Sequence, residues 1–237
     1  MIIKLVRHGQ STSNANIHNP AKVGDKNIVL TDLGWSQAKL AGQKIGEEFL
    51  NDSLVYCSPF TRTRQTLEGM MKDFNSPKDL DIREDNRLRE ISYGYCSGED
   101  YVRQHLLRPI HGWFYYKFEH GESPAMVYDR SSDFIGSVMR RRQRMENEVK
   151  ICSAKRNLVI VGHGTTNRCL LMRYMHLTVE QFEEIDTPPN CGIYTIAPIE
   201  KFGFDNEAIF VSPDGRWGCS GDFKFYGERR KGIINGY

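Results

Sequence analysis

Two histidines and two arginines in this chain stand where short apolar runs give way to polar residues. Arg7-His8-Gly9 follows the run 2–6, Ser58-Pro59-Phe60-Thr61-Arg62 follows 54–57, and Gly162-His163-Gly164 follows 158–161. These residue types suit phosphoryl transfer, which asks for a nucleophile, cations around the equatorial oxygens and an acid for the leaving oxygen. His8 is the candidate nucleophile, fixed at the end of a strand, with Gly9 permitting close approach of a substrate. Arg7 and Arg62 offer cations, and the planar fork of a guanidinium matches a phosphate. After His163, Gly164-Thr165-Thr166 is expected to begin a helix whose free N–H groups and dipole favour an anion, making Gly164 and Thr165 candidate binding residues. Asn14 is a candidate amide donor to the same phosphate. Glu90, in Leu88-Arg89-Glu90-Ile91, is the candidate acid. Arg168 and Lys117 are candidates for holding a second anionic group on the substrate.

Such a site needs strands to carry it. The three apolar runs are nearly continuous, as strands buried on both faces require, and helical patterns alternate with them. That combination predicts an α/β fold with a mostly parallel sheet, whose ligands gather outside the carboxyl ends of the strands. A helix is expected from a Thr31-Asp32 cap through Phe49, with Leu33, Ala38, Ala41, Ile45 and Phe49 on one face. Ser123-Pro124 opens the longest helix, where Val127, Phe134, Val138, Met145 and Val149 share a face. Thr178 with Gln181 predicts a capping box. Residues 192–197 and 207–211 are expected as late strands, and no structure is assigned beyond Ser212. The domain is therefore drawn at 1–211, with 212–237 as a C-terminal tail rich in glycine and aromatics.

Composition narrows the partners. Lys and Arg total 32 against 30 Asp and Glu, so a net charge of +2 provides no general field for nucleic acid or an acidic membrane. The arginines at 140, 141, 142 and 144 are expected on a solvated helix face, and Arg229-Arg230-Lys231 as a solvated part of the tail. The cysteines are scattered without metal or disulfide spacing, and the other five histidines share no ligand spacing, so no metal or cofactor is expected. The start of the chain is too short for a signal peptide, and no apolar run approaches a membrane span. A cytoplasmic protein with reduced thiols, no nucleic-acid partner and no membrane partner is expected.

The motifs resemble the histidine phosphatase superfamily, in its phosphoglycerate-mutase-like branch. Leu5-Val6-Arg7-His8-Gly9-Gln10-Ser11 is similar to its R-H-G signature. Leu30-Thr31-Asp32-Leu33-Gly34 with Gln37-Ala38, Ser58-Pro59 with Arg62 and Thr66, Leu88-Arg89-Glu90, Gly121-Glu122-Ser123 and Gly162-His163-Gly164 match in order. Tyr115-Tyr116-Lys117-Phe118 and Asn167-Arg168-Cys169-Leu170-Leu171 are similar to the fructose-2,6-bisphosphatase domain, and more so to plant and fungal phosphoglycerate-mutase-like proteins. The resemblance implies a three-layer α/β/α sandwich and a metal-independent phosphatase with a phosphohistidine at His8. It also implies a phosphate pocket of Arg7, Arg62 and His163, and a Glu90 that protonates the leaving group and then activates water. A small phosphorylated substrate is expected.

Two other outcomes share these motifs. A mutase of the family carries Glu-Arg-His-Tyr-Gly at the acid and an insert that closes the site against water, whereas Glu90 here precedes Ile91-Ser92-Tyr93-Gly94. A protein phosphatase or a phospho-ligand binding module is the third. Arg168 and Lys117 favour the small metabolite.

Overall fold

The three apolar runs become neighbouring parallel strands in the computed structural model, which describes residues 1–75, 80–94, 99–148, 157–202 and 209–226. In chain order come β1 (Ile3–Arg7), α1 (Pro20–Val23), α2 (Asp32–Ile45), α3 (Glu47–Asn51), β2 (Ser53–Cys57), α4 (Thr61–Met70) and β3 (Ile82–Glu84). They are followed by α5 (Glu99–His111), α6 (Pro124–Glu148), β4 (Asn157–Gly162), α7 (Gly164–Met175) and α8 (Val179–Glu184). The chain then adds β5 (Ile193–Pro198), β6 (Phe210–Val211) and β7 (Trp217–Gly221).

The sheet runs β3-β2-β4-β1-β5-β7-β6. Its β3-β2-β4-β1 part is parallel, while β5, β7 and β6 add antiparallel pairings, so the sheet is mixed. Side chains alternate across each strand and divide the core in two. On one face Ile3, Leu5, Leu54, Tyr56, Leu158 and Ile160 pack with Val127, Phe134 and Val138 of α6 and Leu170 of α7. On the other, Val6, Val55, Cys57, Val159 and Val161 pack with Ala41 and Ile45 of α2 and Leu67 and Met70 of α4. This α/β/α layering is the fold the sequence implied.

Helix signals held where side-chain chemistry set them. Thr31 caps α2 by accepting from Gly34 N, and Thr178 and Gln181 form the capping box of α8. The long helix opens at Pro124; Val149 lies outside the described residues.

Two expectations differ from the structure. The helix from Asp32 stops at Ile45, because Gly46 takes a positive φ of 86° and turns the chain into the separate α3. Leu33, placed on its buried face, is exposed. Beyond Ser212 the chain is not without structure: β7 lies between β5 and β6, so the 211 boundary falls between two strands that pair. Trp217-Gly-Cys-Ser-Gly has no alternation to announce a strand, and its partners alone make it one. Of the expected strand at 207–211, β6 covers Phe210–Val211, Ile209 lies just before it, and 207 and 208 lie outside the described residues.

Candidate active site

Register brings the three polar junctions together. Arg7 on β1 lies opposite Gly162 on β4, and Cys57 on β2 lies opposite Val161. His8, Ser58 and His163 thus emerge at one end of the sheet. His8 N donates to Gly162 O at 3.0 Å and Ser58 N to Val161 O at 3.0 Å. The two imidazoles are buried, with ring centroids 5.2 Å apart, edge to face, and Phe60 covers His163 at 5.2 Å.

The hydrogen-bond partner of His8 determines its tautomer. Nδ1 lies 2.7 Å from Gly9 O. A carbonyl only accepts, so Nδ1 carries the hydrogen and Nε2 keeps its lone pair. The backbone around it is held on two sides. Gly9 N donates to Thr66 Oγ1 at 3.0 Å, and Thr66 Oγ1 donates to Arg62 O at 2.7 Å. His8 O accepts from Cys191 N and from Asn190 Nδ2, both at 3.2 Å. Burial, then Arg62 and Arg7, hold the His8 imidazole well below its ordinary pKa of 6.5. Burial and then Arg62 do the same to His163.

Both cations have partners within the chain, and Asp25, the partner of Arg62, itself lines the cleft. Arg7 Nη1 donates to Pro188 O at 2.5 Å, which leaves Nε buried with no partner among the described residues. Arg62 is buried, and its fork is held by Asp25: Nη1 reaches the carbonyl at 2.7 Å and Oδ1 at 2.9 Å, and Nη2 reaches Oδ2 at 3.4 Å. His163 Nε2 lies 2.8 Å from Ser58 Oγ, while its Nδ1 is buried without a partner among the described residues. Buried polar atoms are nearly always paired, and the Arg7 Nε–H beside His8 is a donor without one; His163 Nδ1 is a second donor when the Ser58 hydroxyl donates to Nε2.

Glu90 reaches the same end of the sheet by another route. Its carboxylate accepts from Thr165 N at 3.2 Å, Thr166 N at 3.2 Å and Ile91 N at 3.0 Å. It therefore occupies the start of α7, where the sequence placed a substrate anion: the N–H groups of Thr165 and Thr166 serve Glu90 instead. Gly164 packs against Thr187, whose Cγ2 would lie 2.5 Å from an added Cβ and would have to move to admit one. Thr165 still lines the cleft.

Asn14 lines the cleft. Its Oδ1 accepts from Ser11 N at 3.2 Å and Asn190 Nδ2 at 3.0 Å, which orients the amide and leaves Nδ2 as its donor side. Two residues expected here lie elsewhere. Arg168 is buried on α7 with Nη2 donating to Phe182 O at 2.7 Å and its guanidinium 4.3 Å from the Phe182 ring. Its position on the helix turns it into the core, away from the cleft. Lys117 is exposed on the loop before α6 and is not part of the cleft wall.

An open cleft of about 1130 Å³ spreads from His8. Ser13, Asn14, Asn16, His18 and Asn19 form one wall, and Arg89, Glu90, Ser92 and Tyr93 another. Sequence reasoning missed Asp25, Ser58 and Asn190 as supports of this site. Asp25 opens a single 3-10 turn over Asp25–Asn27 and Asn190 sits in a loop, neither with periodicity, whereas Ser58 stands in a matched motif and was legible as a polar strand end. Among the described residues no group of three or more His, Cys, Asp or Glu is placed to hold a metal ion, and no helix is long and apolar enough to cross a membrane.

With this geometry in hand, comparison with known proteins is specific. The phosphoglycerate mutase-like protein AT74H of Arabidopsis thaliana is 36% identical over 93% of this chain and 82% of its own length. An acid phosphatase of Mycobacterium tuberculosis is 28% identical over 78% of this chain and 80% of its own. Among solved structures, a mycobacterial glucosyl-3-phosphoglycerate phosphatase shares the fold with a TM-score of 0.65 at 20% identity, over 92% of this chain and 97% of that one. The model of the histidine phosphatase superfamily, branch 1, matches residues 3–204, and the chain belongs to that family.

Proposed function

We propose that the protein hydrolyses phosphomonoesters through a phosphohistidine at His8. Family membership and the phosphatase-named relatives support phosphatase activity. The covalent step rests chiefly on one observation: a neutral His8 with hydrogen on Nδ1 stands beside two unpartnered buried nitrogens, Arg7 Nε and His163 Nδ1. The Nε2 lone pair attacks phosphorus, forming the N–P bond as the ester P–O bond breaks. Arg7, Arg62 and His163 stabilise the phosphoryl oxygens, and Asn14 donates from the cleft wall. Glu90, carrying a proton at this step, gives it to the departing alcohol. It then takes a proton from the water that attacks phosphorus, the N–P bond breaks, and inorganic phosphate leaves. The two arginines supply the positive charge, so no divalent metal takes part.

A cleft lined by amides, hydroxyls and three arginines suits a small phosphorylated metabolite, within a cytoplasmic setting and without nucleic acid or membrane as partner. Rapid quench with labelled substrate is the test. An acid-labile, alkali-stable adduct mapping to His8, absent in His8→Ala and unchanged by a chelator, is expected. An adduct on another residue, or turnover by His8→Ala, overturns the mechanism; loss of activity on chelation overturns its metal independence.

A further inference from the structure

Gly121-Glu122-Ser123 takes no part in the chemistry above, and Glu122 does not line the cleft. Its hydrogen bonds run to the segment that carries Glu90, to Arg130 on α6 and to Phe118 N. The buried Glu122 carboxylate accepts from Arg89 Nη2 at 2.6 Å, from Ser92 N at 3.1 Å, and from Arg130 Nε at 3.2 Å and Nη2 at 3.3 Å. Its backbone N–H donates to Ser92 O at 2.8 Å. Arg130, on α6 and nearly buried, passes the connection on by donating to Arg87 O and, at 3.3 Å, to Glu90 O. From the other side, Thr166 Oγ1 donates to Arg89 O at 2.7 Å.

Residues 89–92 belong to no helix or strand, so their backbone groups depend on such partners. Gly121 permits the approach: a Cβ there would lie 2.4 Å from Ser92 O. Ser123 fixes the start of the helix that carries Arg130, its Oγ accepting from Met126 N at 3.3 Å.

We infer that Glu122 and Arg130 are positioning residues for Glu90: a buried ion pair that clamps the 87–92 backbone to the start of α6. This rests on the assignment of Glu90 as the acid. An acid contributes only when held within hydrogen-bond reach of the leaving oxygen, and an error of about 1 Å costs on the order of a hundredfold. The clamp thus matters where protonation matters, for an alkoxide leaving group and not for nitrophenolate.

The test measures phosphoenzyme formation by rapid quench from glycerol 3-phosphate and from p-nitrophenyl phosphate. It compares the wild type, Glu90→Gln, Glu122→Gln and the double variant. The alkyl-to-aryl rate ratio is expected to fall about tenfold or more in Glu122→Gln. The double variant should be no slower on the alkyl ester than Glu90→Gln alone. An unchanged ratio in Glu122→Gln beside a normal Glu90→Gln effect overturns the positioning role, as do additive losses. A wild-type ratio in Glu90→Gln overturns the acid assignment and this inference with it. Should Glu122→Gln not fold, Arg130→Lys, which keeps the charge but loses the carbonyl contacts, is judged by the same ratio.

Discussion

At the scale of single residues, the proposed chemistry depends on keeping His8 uncharged beside two arginines. Burial and the guanidiniums depress its pKa, and those of His163 likewise, so the unfolded chain binds these protons more readily than the folded one. The sign follows directly. Above the ordinary value of 6.5 both states are neutral and these residues leave stability unchanged; as pH falls through that value, unfolding takes up protons and stability is lost. Each histidine contributes a slope of at most about 1.4 kcal/mol per pH unit below that point. Denaturant midpoints measured from pH 7.5 to 5 are expected to fall less steeply for His8→Asn than for the wild type. Parallel curves would mean that His8 is not held neutral by the fold.

Between elements, the decisive contact is the seat of the His8 loop on α2. Thr31 N and Gln10 O meet at 2.9 Å, and Gln10 N donates to Gln37 Oε1 at 2.8 Å. Gly34 lies so close that a Cβ would stand 2.1 Å from Gln10 O, and Gly9 reciprocally would place one 2.4 Å from Gly34 O. Helix propensity alone favours alanine at Gly34 by about 1 kcal/mol. Overpacking opposes it, and we expect Gly34→Ala to lose about 1–3 kcal/mol and more than about tenfold in kcat, as the loop is pushed from its seat. Equilibrium unfolding and phosphate release measure both, and a stabilised, fully active variant would refute the contact as the constraint.

For the whole molecule, the C-terminal segment belongs to the fold. β7 pairs with β5 from Tyr194 to Pro198, Asp222 accepts from Ile193 N at 2.9 Å, and Phe223 stacks on Tyr194 at 4.4 Å. Ending the chain at Val211 would uncover one long edge of β5 and the buried faces of Tyr194 and Ile196. The truncated protein is expected to aggregate or to lose cooperative unfolding, as size-exclusion chromatography and circular dichroism would reveal. A monodisperse, active 1–211 chain would show that 212–226 is dispensable.

What the sequence determined by itself is the set of strand ends. Short continuous apolar runs bounded by polar residues are the pattern of strands buried on both faces, and the polar residues that end them are placed by covalent connection, so Arg7, His8 and His163, with Arg62 in the first turn of α4, were legible as strand-end residues. Side-chain caps were legible for the same local reason. Tertiary structure alone decided everything that depends on which surfaces meet. Periodicity marks the buried face of a helix without naming its neighbour, so Arg168 turned out to face Phe182 rather than the cleft. Asp25 meets Arg62 across 37 residues, and Glu122 meets Ser92 across 30. β7 becomes a strand only because β5 and β6 offer it partners. Contacts of this kind follow from packing between distant segments, which no local pattern of residue types encodes.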